Sequence, residues 1–131
     1  MNDLLLFLDS YRIRPGRLAE FQDAVRDITA FVEANEPQML HYSNFIHLDG
    51  VRGTGVQIHP DYDSVKRHRV VLSERFATIM DLAEIVRIEI FGNLSERRLS
   101  QIRETAQGFG PVEVIAKDFA AGFHRLPDLT T

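Results

Sequence analysis

The sequence has no cysteine and no tryptophan, and it carries no excess of positive charge. Without cysteine the chain cannot form disulfides, use a thiol nucleophile or bind a metal through thiolates. Basic residues number 15 against 19 acidic ones, for a formal net charge of -4. Nucleic-acid binders normally present a basic face, so this balance argues against that class of protein.

Long hydrophobic runs are also absent from the sequence. The apolar run from Leu4 to Leu8 ends at Asp9 and has no basic residues before it, so we expect no signal peptide. No run approaches the length that spans a bilayer, and we expect no membrane association. Hydrophobic residues make up 44% and charged residues 26%, an ordinary globular mixture. We expect a soluble, cytoplasmic protein with one domain over residues 1–131.

The order of the periodic segments indicates the fold. Apolar residues spaced by three and four predict a first helix, which Pro15 opens and Pro37 ends. Alternating residues on either side of Asp49-Gly50 predict a hairpin. The predicted elements are a strand at 4–14, a helix at 15–36, two strands within 39–59, a helix from 62, a strand at 85–91, a helix at 95–108 and a strand at 112–117.

This order predicts an α+β fold with the split β-α-β arrangement of ferredoxin-like domains and an antiparallel sheet. The core unit covers residues 4–92. Residues 93–126 add a C-terminal helix and strand extension to it.

A ferredoxin-like sheet has helices on one face only, so its other face needs solvent or a partner. We expect Val56, Ile58, Val86, Ile88 and Ile90 to lie beneath the helices. The residues expected on the opposite face are His41, Phe45, His47, Gln57, His59, Arg87, Glu89 and Phe91. Two such faces packed together would remove exposed strand edges, and the sequence therefore predicts a two-fold homodimer.

Three segments carry a resemblance to a known family. They are Tyr11-Arg-Ile-Arg-Pro-Gly-Arg-Leu-Ala-Glu-Phe21, Asn35-Glu-Pro-Gln-Met-Leu-His-Tyr42 and Asp63-Ser-Val-Lys-Arg-His68. They resemble the first strand and helix, the turn into strand two and the second helix of the antibiotic-biosynthesis-monooxygenase-like proteins, which belong to the dimeric α+β barrel superfamily. Gln38 stands where that family usually has glycine. The resemblance covers roughly residues 4–92.

The resemblance implies an activity as well as a fold. The family includes cofactor-independent oxygenases of aromatic polyketides, haem-degrading oxygenases and members with no known activity. The haem-degrading members use an asparagine, a tryptophan and a histidine at positions that align with Asp9, His68 and about Thr78. None of the three matches, which argues against haem degradation by that arrangement.

His68 is the sharpest catalytic candidate. It falls on the apolar stripe of the second helix, and an imidazole can take a proton from a phenol or an activated methylene. A core histidine bonded to a backbone carbonyl is the structural alternative. The first hypothesis is a cofactor-free monooxygenase in which His68 accepts a proton and Asn44 or Tyr42 holds the substrate oxygen. The predicted substrate-binding residues for a small hydrophobic molecule are Phe21, Phe76, Ile79 and Arg87.

Two other functions remain open. A non-catalytic ligand-binding or stress-associated module could use the same space, and a helix–sheet interface filled by side chains would favour it. A metal-dependent lyase or isomerase would need His41 and His59 to converge. A three-residue loop over residues 49–51 would place these two histidines opposite each other, with Glu89 or Asp9 as a further ligand. A one-residue slip would separate them. The first hypothesis requires neither a metal nor another cofactor.

Overall fold

The structure is a computed structural model, and it describes residues 3–126, so both ends of the predicted 1–131 domain lie outside the described residues. The strands are β1 (Leu5–Ile13), β2 (His41–Ile46), β3 (Arg52–His59), β4 (Ala83–Phe91) and β5 (Glu113–Lys117). The helices are α1 (Leu18–Asn35), α2 (Tyr62–Leu72), α3 (Phe76–Leu82) and α4 (Glu96–Gln107). None of the helices within residues 3–126 is both long and apolar enough to cross a membrane.

The five strands form one sheet in the order β2-β3-β1-β4-β5. The predicted antiparallel pairing holds from β2 to β4, whereas β5 runs parallel to β4. The connection from β4 to β5 runs through α4, which brings the chain back to the end of the sheet where β4 begins. Two neighbouring parallel strands require such a crossover. The C-terminal extension therefore adds an edge strand to the sheet of its own chain.

Helix boundaries follow local chemistry. The side chain of Asp61 accepts a hydrogen bond from the backbone N–H of Ser64 at 2.9 Å and so caps α2. Ser95 caps α4 in the same way through the N–H of Arg98. The predicted second helix is divided, because the turn at residues 73–75 separates α2 from α3.

All four helices pack on one face of the sheet and bury two apolar clusters. The cluster beneath α2 and α4 contains Leu5, Phe7, Tyr62, Ile85, Ile88, Ile90, Ile102 and Ala106. The cluster beneath α1 and α3 contains Ile13, Phe21, Ile28, Val32, Leu72, Ile79, Leu82 and Ala83. The side chains that form the candidate site lie on this helix-covered face.

Two predicted facings are wrong. In β4 a bulge opposite Ser10 and Tyr11 leaves Val86 as the extra residue, so Ile85 rather than Val86 joins Ile88 and Ile90 in the core. In β3 the alternation is the reverse of the prediction. There Gly53, Gly55, Gln57 and His59 lie in register with the core side of β1, and Val56 and Ile58 lie on the other face.

That other face, which we call the open face, carries a cluster of half-buried apolar side chains. Strand register brings Leu6 opposite Ile58 and Phe91, and Leu8 opposite Val56. Phe45 is more exposed, at 57%. The open face of this chain is therefore more apolar than the sequence predicts.

Candidate functional site

His68 lies on the buried side of α2 and contacts a buried carboxylate. Its Nδ1 is 2.7 Å from Oε2 of Glu36, the residue that directly follows α1. Relative exposures of 8% for His68 and 3% for Glu36 place the pair within the protein interior. Gln38 donates a hydrogen bond to the other oxygen of Glu36 at 3.2 Å. Both carboxylate oxygens are thus held, and Glu36 orients the imidazole.

This contact determines which nitrogen of His68 can act as a base. An ionised carboxylate only accepts hydrogen bonds, so Nδ1 carries the proton and Nε2 keeps its lone pair. Among residues 3–126, no side chain or backbone group makes a hydrogen bond with Nε2. The imidazole can therefore accept a proton at Nε2 while Glu36 stabilises the imidazolium that results.

Asp9 is the second titratable group at this place. It lies in β1 on the helix-covered face, and Gln57 of β3 donates a hydrogen bond to its Oδ2 at 3.2 Å. Burial raises the pKa of Asp9 from 3.8 to about 6, an effect that the nearby charge of His68 opposes. A carboxyl group with a pKa near the working pH is suited to general acid–base chemistry.

A short hydrogen-bonded chain holds Asp9 in place. Because the amide nitrogen of Gln57 donates to Asp9, its carbonyl oxygen faces Nε2 of His59 at 3.0 Å and accepts a hydrogen bond from the N–H there. Nδ1 of His59 then accepts from the hydroxyl of Ser64 at 2.7 Å. Burial, with a smaller contribution from His68, lowers the pKa of His59 to about 3. His59 is consequently neutral near pH 7 and serves to position Gln57 and Asp9.

Asp9, Gln57 and His68 form the polar end of a cavity of about 300 Å³. We call it the α2–α4 cavity, because those two helices and the sheet enclose it. Its other lining residues are Phe7, Val65, Arg69, Leu72, Ser73, Phe76, Ile85, Ile88, Ile102, Thr105, Ala106 and Phe109. Most of these are apolar, and the volume lies at the lower end of the range of small-molecule sites. An apolar ligand in this cavity would contact one basic nitrogen and one carboxyl group.

Several predicted site residues lie elsewhere, around what we call the α1–α3 space. Phe21, Tyr42, Asn44 and Ile79 line this space together with Phe76, and its volume is only about 20 Å³. It is a packed interface with no room for a substrate. Leu72 at the end of α2 and Phe76 at the start of α3 line both spaces, because they stand between them.

Tyr42 nevertheless remains close to His68. The ring centroids of Tyr42 and His68 are 5.7 Å apart in an edge-to-face arrangement. Burial raises the pKa of Tyr42 to about 12, so its hydroxyl stays protonated and can only be a hydrogen-bond donor or acceptor. Asn44 donates a long hydrogen bond of 3.4 Å to Thr29. Tyr42 therefore packs against the candidate base, whereas Asn44 contacts α1.

The structure does not bring Arg87 to the site. Arg87 lies on the open face, where its nearest carboxylate is that of Glu89 at 3.9 Å. The bulge at Val86 leaves Arg87 on that face, and the sheet separates it from His68.

The proposed pairing of His41 with His59 is wrong. His41 pairs with Ile58, because the hairpin loop has four residues, 48–51, instead of three. The one-residue slip leaves His41 exposed on the open face and His59 fully buried on the other. Within residues 3–126, no group of three or more His, Asp or Glu side chains could hold a metal ion.

Sequence reasoning missed the catalytic potential of Asp9 and the role of Glu36. The signal for Asp9 is its position in β1, where it lies on the same face as the buried Leu5, Phe7 and Ile13. A carboxylate in phase with core residues indicates a buried charge. No comparable local signal marks Glu36.

The sequence matches no family model and no curated protein significantly. Solved structures do resemble the fold. MupZ from Pseudomonas fluorescens superimposes with a TM-score of 0.74 at 21% identity, over 95% of this chain and 96% of that one. A Caulobacter crescentus protein named as an inferred antibiotic biosynthesis monooxygenase gives 0.64 at 19% identity, over 72% and 92%. SnoaB, a cofactor-independent oxygenase from Streptomyces nogalater, gives 0.59 at 17% identity, over 71% and 95%.

These similarities confirm the fold that the sequence predicted. The chain has the α+β, ferredoxin-like fold of the antibiotic-biosynthesis-monooxygenase-like proteins, extended by α4 and β5.

Proposed function

We propose that this chain is a cofactor-independent monooxygenase that acts on a hydrophobic aromatic or polyketide-like small molecule in the α2–α4 cavity. One observation carries the proposal. The apolar cavity of about 300 Å³ ends at His68, whose Nδ1 is held by Glu36, and at Asp9, whose pKa is raised to about 6. The fold is shared with an enzyme named as a cofactor-independent oxygenase, which supports the reaction class.

The chemistry begins with proton removal. Nε2 of His68 takes a proton from a phenol or an activated methylene of the substrate, and Glu36 stabilises the imidazolium. The resulting carbanion gives its electrons to dioxygen. One oxygen atom enters the substrate, which loses two hydrogens, and the other leaves as water. The substrate supplies all four electrons that reduce dioxygen, so the reaction balances without a reductant or a metal. Asp9, ionised above its pKa, is placed to take the second proton.

A direct test measures oxygen uptake with anthrone, which has an activated methylene, and with 1-naphthol, which has a phenolic hydroxyl. We expect uptake with at least one probe and a product that contains one atom from labelled dioxygen. The variants His68→Ala and Glu36→Gln should each lower the rate by 10²-fold or more, within the range typical of general-base loss. His47→Ala is the matched control, since His47 is exposed at the hairpin and does not line the cavity.

The outcome also separates the two functional hypotheses. Binding of a probe without oxygen uptake would favour the non-catalytic ligand-binding module. The packed α1–α3 space supports that alternative, because it leaves Tyr42 and Asn44 no room for direct contact with a ligand. Equal rates in the His68→Ala variant and the wild type would contradict the role of His68.

We also propose a two-fold homodimer through the open face. The apolar cluster of Leu6, Leu8, Val56, Ile58 and Phe91 supports it, because a second copy would cover these half-buried side chains. Native mass spectrometry should give twice the 15.0 kDa chain mass. Val56→Lys should shift the protein to the monomer. A wild-type monomer at micromolar concentration would refute the proposal.

A further inference from the structure

Arg69 lies at the mouth of the α2–α4 cavity, next in sequence to the candidate base His68. The cavity-lining residues Arg69 and Ser73 are exposed, whereas Asp9, Gln57 and His68 at the other end are buried or half-buried. The cavity therefore has a solvent-facing entrance with a guanidinium group beside it.

A hydrogen bond across the entrance holds this guanidinium. Nη1 of Arg69 donates to the hydroxyl of Thr105 at 2.8 Å, and that hydroxyl donates to the backbone carbonyl of Gln101 at 3.1 Å. The contact joins α2 to α4. Arginine has five N–H donors in a fixed planar fork, so several remain for a ligand. Within residues 3–126, Arg69 has no carboxylate within 4.0 Å.

The charges of the cavity determine how an anionic ligand would lie. Asp9 is ionised above pH 6, and Glu36 stands behind His68 at the same end. Both carboxylates repel a negative group there, whereas Arg69 attracts one at the mouth. The apolar stretch between the two ends includes Phe76 and Phe109, whose rings stack with centroids 4.6 Å apart.

We propose that Arg69 binds a carboxylate of the substrate, so the α2–α4 cavity takes aromatic or polyketide-like carboxylic acids in preference to neutral analogues. The inference rests on the proposed function for the location of the ligand. The acid group sits at Arg69, the ring lies against Phe76 and Phe109, and the reactive C–H or O–H faces His68 and Asp9. Guanidinium–carboxylate pairs are frequently bidentate, which fixes this orientation.

The test compares two probes of nearly the same shape by calorimetry at pH 8, namely 2-naphthoate and its neutral amide, 2-naphthamide. Charge-assisted hydrogen bonds are about twice as strong as neutral ones, and we expect 2-naphthoate to bind wild-type protein about ten-fold more tightly. Arg69→Met should abolish this preference while the amide binds as before. Arg69→Gln is a second variant, which keeps a polar side chain at the exposed position.

Arg67→Met is the matched control. Arg67 is on the same helix and is also exposed, but it contacts the backbone carbonyl of Asn35 and does not line the cavity. Removing its charge should leave the preference for 2-naphthoate intact. A uniform effect of net charge would instead weaken 2-naphthoate equally in both variants, which would overturn the proposal.

The remaining outcomes separate this proposal from the proposed function. Equal binding of both probes to the wild type would refute the carboxylate site and leave a hydrophobic-ligand enzyme standing. Loss of the preference in Arg69→Met without oxygen uptake by any probe would support the carboxylate site and refute the oxygenase. Failure of both probes to bind at millimolar concentration would refute the site for aromatic acids.

Discussion

Replacing Asp9 with asparagine is expected to stabilise the protein at pH 8, although it removes a group from the candidate site. Asp9 has a pKa of about 6 in the folded protein against 3.8 for an ordinary aspartate, because burial disfavours its charge. Each pKa unit corresponds to about 1.4 kcal/mol, so the folded state loses about 3 kcal/mol when Asp9 is ionised. Asparagine keeps an oxygen that can accept the hydrogen bond from Gln57 and has no charge to bury.

The pH dependence of the gain follows from the direction of this pKa difference. A raised carboxyl pKa means that the folded state binds more protons than the unfolded state between pH 3.8 and 6. The destabilisation is complete above pH 6 and disappears below pH 3.8. Asp9→Asn should therefore gain about 3 kcal/mol at pH 8 and about 1.5 kcal/mol at pH 5.

Urea denaturation of the variant and the wild type at both pH values measures this difference. Protein concentration is held constant, because the proposed dimer would make apparent stability depend on concentration. Asp27→Asn, which removes an exposed carboxylate from α1, is the control and should change stability by no more than about 0.5 kcal/mol. A variant no more stable than the wild type at pH 8, or a gain that is equal at pH 8 and pH 5, would refute the reasoning.

Four further substitutions have predicted effects on stability. Burial lowers the pKa of His59 in the folded protein to about 3, so the unfolded state binds more protons than the folded state below pH 6.5. In urea titrations, the stability advantage of the wild type over His59→Gln should therefore shrink by about 2 kcal/mol between pH 8 and pH 5. Gly92→Ala should cost on the order of 3 kcal/mol, because φ is +139° and the new Cβ would meet the carbonyl oxygen of Leu4 at 2.5 Å. Gly110→Ala, at φ +94° with nothing within 4 Å, should cost only about 1 kcal/mol, and similar melting curves for the two would contradict the steric argument. Ser95→Ala should cost about 1 kcal/mol of unfolding free energy by removing the α4 cap, which thermal unfolding would detect.

Local patterns predicted most of the fold. The spacing of apolar residues predicts α1 at close to its observed bounds, and Asp61 and Ser95 cap α2 and α4 as their sequence context indicates. These signals succeed because they depend on contacts between residues at most four positions apart. The element order then leaves few possible topologies, and the observed sheet order is one of them.

The errors in facing came from features that a periodic pattern does not encode. A bulged residue at Val86 reverses the alternation of β4 partway along the strand. A hairpin loop of four residues rather than three moves His41 away from His59. Each is a one-residue effect, and in a strand one residue exchanges the two faces.

The sequence by itself determined most of the elements, the fold class and the burial of His68 on the apolar side of α2. Only the tertiary structure decided what surrounds His68. Glu36 is 32 positions away from it, and Gln57 is 48 positions from Asp9, so packing of separate elements brings these groups together. The same packing fills the space beneath α1 and α3 and leaves the cavity beneath α2 and α4 open. Whether such a space is filled depends on the total volume of side chains that are distant in sequence, which a local pattern does not encode.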